Sequence, residues 1–352
     1  MIDLRSDTVT RPSAAMKAAM VAAELGDDVW GDDPTVNRLQ QVMAERCSKE
    51  AALFFPSGTQ SNLAALMAHC QRGDEYIVGQ QAHTYKFEGG GAAVLGSIQP
   101  QPLENAADGS IPLDKIEAAI KPIDDHFART RLLALENTIG GKVLPPAYLQ
   151  AAQQLACAKG LALHLDGARV ANAAVAQGIS LEQACAGFDT VSICLSKGLG
   201  APAGAVLVGS AELVARARRW RKILGGGMRQ SGMLAAAGLY ALEHNVARLA
   251  EDHDNAAALA AGLAAIGELE VTSAATNMVF VKVPATACAA LEAHLKERGI
   301  LTQIGPVSRF VTHLDVAAAD IATVLAACRD FFAGAAAPQS TATAAATASR
   351  YA

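Results

Sequence analysis

Short apolar runs alternate with longer amphipathic stretches through the first 245 residues of the chain. Runs such as "ALFF", "YIVG", "LLALE", "LALHLD" and "VSICL" have the length and composition of buried strands. Helical patterns lie between them; from Val36, for example, Leu39 and Met43 recur at helical spacing. Strands that alternate with helices predict an α/β fold with a mostly parallel sheet flanked by helices.

The pattern changes after Asn245. The stretches "VTSAATNMVFVKV" and "SRFVTHLDV" resemble strands, and "ACAALEAHLKERG" resembles a helix. We therefore expect a large domain over residues 1–245, including an extended N-terminal arm, and a smaller α+β domain over residues 246–334. Residues 335–352 are of low complexity and contain mostly small or polar residues, which predicts a disordered tail.

Composition and charge narrow the function classes. The chain has 352 residues, of which 51% are hydrophobic, and a formal net charge of -5, so no broad basic field favours nucleic acid or an anionic membrane. No apolar run reaches the length of a membrane span. The seven scattered cysteines form no C-x-x-C pair, which argues against a disulfide framework and a zinc site. We expect a cytoplasmic protein without a metal, because the N-terminus also lacks a secretory signal.

Polar residues stand where several predicted strands end. Residues 57–59, His83, Glu136, Asp166 and Lys197 each follow or close an apolar run. Ligands of parallel α/β sheets bind outside the carboxyl ends of the strands. We therefore expect these side chains to line one crevice.

The turn "PSGTQ" joins a predicted strand to a predicted helix. Free backbone N–H groups and the helix dipole would favour an anion there, and Gly58 permits close approach while Thr59 adds a hydroxyl donor. The alternative is an ordinary helix cap by Ser57. The stretch matches neither the P-loop nor the G-x-G-x-x-G motif, so it indicates a phosphate without the nucleotide signatures.

Asp166 and Lys197 add two further functional groups. Lysine is seldom buried, and an amine at a strand end can form a Schiff base. Asp166 could cap the next turn or pair with a protonated ring nitrogen, and Arg169 could bind a carboxylate or an acidic neighbour. A phosphate pocket, an aspartate and a lysine in this order match the three requirements of pyridoxal phosphate, which acts as an electron sink.

The histidines differ in their settings. His83 stands at a strand end, where its imidazole could stack on a pyridine ring. His126, in "IDDHF", has Asp124 or Asp125 as a possible local partner, and His164 inside a strand is expected to be structural.

A basic run lies in "RARRWRKILGGGMRQSG". Such a run is usually a solvated helix face. One or two of its residues, Lys222 and Arg229 among them, could instead reach a phosphate across a subunit boundary.

Together, these motifs match the pattern of one enzyme family. The chain resembles the low-specificity L-threonine aldolases, which belong to the fold type I (aspartate aminotransferase-like) class of pyridoxal phosphate enzymes, over residues 1 to about 333. The resemblance rests on "IDLRSDTVTRPS", "GDDVWGDDPTV", "FFPSGTQSN", "GGGAAVLGSIQP", "ENT", "HLDGAR", "CLSKGLGAP", "WRKILGGGMRQSG" and "VTHLD".

The resemblance implies roles for the matching positions. Lys197 would be the Schiff-base lysine, Asp166 would pair with the ring nitrogen, and His83 would stack on the ring. The phosphate would be bound by Gly58, Thr59, Lys222 and Arg229. The substrate carboxylate would be held by Ser6, Arg169 and Arg309, and the β-hydroxyl would lie near His83 and His126. Lys222 or Arg229, or both, would come from a neighbouring chain, so the resemblance implies a homodimer at least and suggests a tetramer.

Two positions depart from the family pattern, because Trp30 stands where a tyrosine is expected and Ile139 where many members have histidine. The implied reaction is retro-aldol cleavage of L-threonine, L-allo-threonine and other β-hydroxy-α-amino acids to glycine and an aldehyde. The general base could be His83, His126 or a water. Other reactions of the same cofactor, such as β-elimination, and a non-catalytic α/β protein remain as alternatives.

Overall fold

A computed structural model of the chain describes residues 1–334; the expected tail over residues 335–352 lies outside them. The strands of the described part are β1 (Ile2–Asp3), β2 (Ala51–Phe55), β3 (Asp74–Gly79), β4 (Gln99–Leu103), β5 (Arg129–Glu136), β6 (Ala162–Asp166), β7 (Thr190–Cys194), β8 (Ala205–Gly209), β9 (Glu270–Ala275), β10 (Met278–Lys282), β11 (Ile300–Leu301) and β12 (Val307–Val311).

The α-helices alternate with these strands over most of the chain. They are α1 (Ala14–Val21), α2 (Pro34–Arg46), α3 (Gly58–His69), α4 (His83–Lys86), α5 (Gly91–Val94), α6 (Leu113–Ala119), α7 (Pro146–Lys159), α8 (Val170–Gln177), α9 (Leu181–Cys185), α10 (Ala211–Ile223), α11 (Gly232–His244), α12 (Leu249–Ala264), α13 (Cys288–Glu297) and α14 (Ala318–Gly334).

The described part of the chain divides into two compact units, Pro12–Val246 and a second unit that combines Met1–Arg11 with residues 247–334. The sequence analysis placed the N-terminal arm in the large domain, whereas the structure places it in the second unit. It joins the C-terminal unit because β1 pairs in parallel with β11, and because the backbone N–H of Val311 donates to the carbonyl of Leu4.

The large unit is built on a seven-stranded sheet in the order β2-β8-β7-β6-β5-β3-β4. Neighbouring strands from β4 to β7 are parallel, and β8 runs antiparallel to both β7 and β2. The predicted mostly parallel α/β sheet is confirmed. The register aligns Glu136 on β5 with Asp166 on β6, so the carboxyl ends of these strands lie side by side.

Burial explains why the central strands are almost entirely apolar. Every residue of β3, β7 and β8 is buried, as expected for strands covered by helices on both faces. One buried cluster joins Leu63 and Leu66 of α3 to Tyr76 and Leu132 of the sheet. This packing fixes the start of α3 beside the carboxyl ends of the strands.

The C-terminal unit contains a three-stranded antiparallel sheet, β12-β10-β9, and the parallel pair of β1 and β11. Its core includes Leu259 and Leu263 of α12, Val279 of β10, Leu291 of α13 and Val324 of α14. This arrangement agrees with the α+β character predicted for the region.

None of the helices within residues 1–334 is long and apolar enough to cross a membrane.

Candidate active site

Lys197 lies three residues beyond the end of β7, in a tight turn. The backbone N–H of Gly200 donates to the Lys197 carbonyl at 2.8 Å, and the N–H of Ala201 donates to the carbonyl of Leu195 at 3.0 Å. Gly200 has a φ of +79°, which a residue with a side chain rarely adopts. The turn thus holds a half-buried lysine at the edge of the sheet.

Asp166 closes β6 and is 2% exposed. Its Oδ2 accepts a hydrogen bond from Nδ2 of Asn62 at 3.0 Å, and its Oδ1 accepts one from the backbone N–H of Ala168 at 3.0 Å. Ala168 belongs to the following turn, so the capping role considered from the sequence is present. The contact with Asn62 adds a fixed orientation that a capping residue alone would not have.

His83 begins α4, and two carboxylates contact it. Its backbone N–H donates to Oε2 of Glu136 at 2.6 Å, and its Nδ1 donates to Oε1 of Glu88 at 2.9 Å. Burial alone would lower the pKa of His83, but the hydrogen bond to Glu88 and the charges of Asp166 and Glu88 raise it above the ordinary value. The charge of Lys197 opposes this rise, so all these groups share one electrostatic environment.

The two glutamates beside His83 are themselves perturbed. Burial raises the pKa of Glu88, and the negative charge of Asp166 adds to the rise. Burial, followed by the charge of Asp166, raises the pKa of Glu136 to about 7. Glu136 was among the strand-end residues of the sequence, whereas sequence reasoning missed Glu88, whose only signal is its spacing of five residues from His83.

The N-terminus of α3 lies at the same edge. Ser57 is its N-cap, and the Ser57 hydroxyl accepts the N–H of Gln60 at 3.2 Å. The ordinary capping role considered for this serine is therefore present. The N–H groups of Gly58 and Thr59 have no acceptor within the helix. A Cβ placed on Gly58 would meet no atom closer than Sγ of Cys194 at 3.9 Å. The space in front of the helix can therefore receive an anion.

Lys222 and Arg229 lie around the end of α10. Gln60 Nε2 donates to the Leu224 carbonyl at 3.0 Å, which ties this segment to the start of α3. Lys222 is exposed in the last turn of α10. Arg229 is also exposed, and its Nη1 contacts Oδ2 of Asp27 at 2.9 Å.

The basic run is only partly a solvated face, because its Arg221 is 3% exposed. Nη1 of Arg221 lies 2.8 Å from Oδ2 of Asp28 and donates to the Phe54 carbonyl at 2.7 Å. This buried ion pair fastens the acidic loop before α2 to α10 and the end of β2.

The residues expected to hold a substrate carboxylate fall in both units. In the C-terminal unit, Nη2 of Arg309 donates to the Arg5 carbonyl at 3.2 Å, which brings β12 next to Ser6. Ser6 caps a short 3-10 helix over Asp7–Val9 and accepts the N–H of Thr8. In the large unit, Arg169 directly precedes α8, three residues after Asp166.

His126 is not brought to this edge within one chain. It precedes β5, whereas Glu136 ends that strand; at 3.3 Å per residue the strand spans roughly 23 Å, and the three residues before it extend at most about 10 Å. Its side chain is 87% exposed, and its Nδ1 donates to Oδ1 of Asp124 at 2.6 Å. The expected position of His126 beside His83 is therefore not found in the isolated chain. The local pairing of His126 with Asp124 is present.

Among the described residues, His83, Glu88 and Asp166 form a group whose ligand atoms all lie within 4.8 Å of one another. The sequence predicted no metal site. The oxygens of this group already accept N–H donors from Asn62, Ala168 and the His83 ring. Carboxylates oriented in this way suit a protonated ring nitrogen as well as a cation, so the group fits the pyridoxal phosphate predicted above.

The comparisons with known proteins agree with this chemistry. The family model described as "Beta-eliminating lyase" matches residues 3–286. The low specificity L-threonine aldolase of Escherichia coli K12 is 60% identical over 333 residues, covering 95% of this chain and the whole of that protein.

Solved structures share the fold at lower identity. A Leishmania major threonine aldolase superposes with a TM-score of 0.81 at 21% identity, covering 94% of this chain and 100% of that one. A structure described as "SPT with PLP" reaches 0.74 at 18% identity, covering 95% of this chain and 88% of that one. The fold type I architecture and the family expected from the motifs are confirmed. The chain belongs to the beta-eliminating lyase family and, within it, to the low-specificity L-threonine aldolases.

Proposed function

We propose that the chain cleaves the Cα–Cβ bond of L-threonine, L-allo-threonine and other β-hydroxy-α-amino acids, giving glycine and an aldehyde. The observation that carries the proposal is the position of Asp166 and Lys197 at the ends of neighbouring parallel strands, beside the start of α3. The 60% identity to the Escherichia coli enzyme supports the same substrate class.

The cofactor is pyridoxal phosphate, which withdraws electrons from the substrate Cα when it is bound. We propose that Lys197 holds its aldehyde carbon, Asp166 its ring nitrogen, and His83 its ring face. Gly58, Thr59, Lys222 and Arg229 would hold the phosphate. A buried carboxylate with two fixed donors is suited to keep a ring nitrogen protonated.

The reaction needs one group to take a proton from the β-hydroxyl and another proton to reach Cα. Nε2 of His83 is the imidazole atom left open, because Nδ1 donates to Glu88. Glu136, whose Oε2 accepts the backbone N–H of His83, has a pKa of about 7 and can hold a proton near this residue. His83, a water beside it, or His126 from another chain therefore remain the candidates for the base.

We propose that the substrate carboxylate is bound by Ser6, Arg169 and Arg309. A carboxylate held by arginine side chains would fix the orientation of the substrate Cα, and this orientation would decide which bond of Cα is weakened when the cofactor is bound. For an aldolase this bond is Cα–Cβ.

We further propose a cytoplasmic homotetramer with active sites between chains. His126 can reach the site only from a second copy, because it lies beyond the opposite end of β5. It is flanked by Ile123, 97% exposed, and Phe127, 48% exposed, which an interface between copies would cover. The seven cysteines are free thiols, as expected in a reducing compartment.

Product analysis separates this function from β-elimination, which the family description favours as the second candidate. The purified protein is incubated with L-threonine, L-allo-threonine and their D-forms. Glycine and acetaldehyde from the L-forms support the proposal, whereas a keto acid and ammonia would replace it with β-elimination.

Two variants complete the experiment. Lys197→Ala should lose roughly a thousandfold or more in turnover, because the Schiff-base amine is gone. Lys159→Ala, which removes a surface lysine paired with Glu117, should keep the rate. A protein that neither binds the cofactor nor releases aldehyde would instead be a non-catalytic relative.

A further inference from the structure

A line of buried polar side chains runs through the large unit behind the site. Nε2 of His69 lies 2.8 Å from the Thr190 hydroxyl, which in turn lies 2.9 Å from Nδ1 of His164. Nε2 of His164 lies 3.2 Å from Oδ1 of Asn62. His164 and Thr190 are fully buried, and Asn62 is 2% exposed. We call these four residues the polar relay.

The relay ends on two carboxylates of the site. The amide nitrogen of Asn62 carries two hydrogens, and it lies 3.0 Å from Oδ2 of Asp166 and 2.9 Å from Oε1 of Glu88. The same oxygen of Glu88 accepts Nδ1 of His83. One amide group therefore contacts both the carboxylate beneath the ring nitrogen and the carboxylate that orients His83.

The donors and acceptors of the relay have one consistent direction. Because Asn62 uses its N–H groups on carboxylates, its Oδ1 must accept, so His164 carries its proton on Nε2. Nδ1 of His164 then accepts a hydrogen bond from the Thr190 hydroxyl at 2.9 Å, although the backbone carbonyl of Thr190 also contacts the imidazole. The Thr190 oxygen consequently accepts the N–H of His69. Every hydrogen bond thus points towards Asp166 and Glu88.

Both relay histidines are neutral, as this direction requires. Burial lowers the pKa of His164 to about 3 and that of His69 to about 4. A charged imidazole at either position would donate from both nitrogens and break the sequence of donors and acceptors.

We propose that Asn62 is a positioning residue for the site, held in place by His164, Thr190 and His69. Its two N–H groups fix Asp166 as a carboxylate towards the cofactor ring and fix Glu88 as the acceptor that orients His83. The proposal deepens the proposed function and rests on it, since it gives a role to residues behind Asp166 and His83 to which the family resemblance assigned none.

The first measurement is the tautomer of His164 and does not depend on activity. Full-length protein labelled with 15N-histidine is examined by solid-state NMR, and the His164 signal is assigned with a His164→Asn variant. The wild type should show a neutral Nε2–H imidazole between pH 6 and 8.5. A protonated Nδ1 in the wild type would reverse the relay and overturn the proposal.

The second measurement uses Asn62→Leu, which keeps the branched shape of the side chain and removes both donors. His164 should then carry its proton on Nδ1 and donate to Thr190, because a buried N–H without an acceptor is unfavourable. The dissociation constant for pyridoxal phosphate should rise about tenfold or more, since Asp166 loses a donor to its charged form.

Matched variants separate positioning from packing. Ser61→Ala removes another buried hydrogen bond of α3, 2.7 Å long and made with Ser192, and should leave cofactor affinity within twofold. Thr190→Val should weaken cofactor binding, whereas Thr190→Ser, which keeps the hydroxyl, should restore it.

The possible outcomes are distinct. If Ser61→Ala and Asn62→Leu weaken cofactor binding equally, or if Asn62→Leu binds within twofold of wild type, the positioning role is wrong. If the wild type binds the cofactor but releases no aldehyde, the proposed reaction fails while the tautomer and affinity results still decide the role of Asn62.

Discussion

At the scale of single residues, Glu88 is one of the groups that raise the pKa of His83. The hydrogen bond to Glu88 and the charges of Asp166 and Glu88 raise the pKa of His83, whereas burial alone would lower it. If neutral His83 is the base, activity falls as the pH drops below this raised pKa. Replacing Glu88 by glutamine removes part of the raising effect, so the acidic limb of the kcat/KM profile should move to lower pH.

The control for this profile is Glu45→Gln, which changes an exposed glutamate on α2 and should leave the limb in place. An unchanged limb in Glu88→Gln would mean that a group other than His83 controls the rate.

Asp166 provides a second test at this scale. Asp166→Asn keeps the shape of the side chain but removes the charge that would hold the ring nitrogen protonated. We expect kcat/KM to fall about a hundredfold or more, which corresponds to roughly 2.7 kcal/mol of transition-state stabilisation. The absorbance of bound cofactor should persist, because Lys197 is intact. If Asp166→Asn kept the wild-type kcat/KM, Asp166 would have no role in the active site.

The sequence predicted those site residues that end strands, and it could not predict those that act through contacts. Asp166 and Lys197 each close an apolar run, so their shared edge followed from topology. Asn62 and Glu88 lie on α3 and in a loop, and their role depends on a contact between elements far apart in the chain. Arg309 was assigned through family resemblance alone, because its segment reads simply as a strand.

At the scale of elements, the start of α3 is the proposed phosphate site. Gly58→Val should fold, because a Cβ there meets only Cys194 Sγ at 3.9 Å, but the added methyl groups would occupy the space in front of the helix. We expect the dissociation constant for pyridoxal phosphate to rise about tenfold or more, measured by cofactor fluorescence.

Gly267→Val is the matched control, since no atom lies within 4 Å of a Cβ at that position in the C-terminal unit. Equal cofactor affinity in Gly58→Val and Gly267→Val would place the phosphate elsewhere.

The acidic loop before α2 gives a pair of neighbouring variants with opposite expectations. Asp28 is 1% exposed and contacts the buried guanidinium of Arg221, whose pKa is lowered, chiefly by burial. Asp28→Asn leaves that cation without its anion and should reduce the free energy of unfolding by about 3–5 kcal/mol. Asp27→Asn weakens a partly exposed ion pair with Arg229 and keeps an oxygen that can accept the N–H of Val29, so it should change the unfolding midpoint little. Equal midpoints for the two variants would contradict this account.

Helices and strands could be predicted from the sequence where burial produces a pattern of apolar residues. They were harder to predict where their position depends on contacts with distant parts of the chain. The apolar runs of β3 and β7 identified buried strands directly. The N-terminal arm was assigned to the wrong unit, because a strand of two residues carries no signal of its partner β11. The burial of Arg221 could likewise not be predicted from the basic run, because it depends on an ion pair with Asp28 in a distant loop.

At the scale of the whole molecule, one chain does not assemble every residue that the family resemblance assigns to the site. Asp166, Lys197, His83 and Glu136 meet at one edge of the sheet, whereas His126 lies beyond the opposite end of β5. A role for His126 therefore requires a second copy. The fold could be predicted from sequence patterns, but the division of a site between copies leaves no mark in the pattern of a single chain.

Mixing two inactive variants tests this division. In the proposed assembly Lys197 and His126 of one site come from different chains, so hybrids of Lys197→Ala and His126→Ala chains should contain some sites with both residues intact. With random pairing, about a quarter of the sites are complete, and mixed chains should recover about that fraction of wild-type aldehyde release. Lys197→Ala mixed with Asp166→Asn is the control, because both residues belong to the same edge of one chain and no hybrid site is complete. Recovery in the control, or none in the first mixture although His126→Ala alone has lost activity, would place His126 and Lys197 in the same chain's site and contradict the proposed assembly.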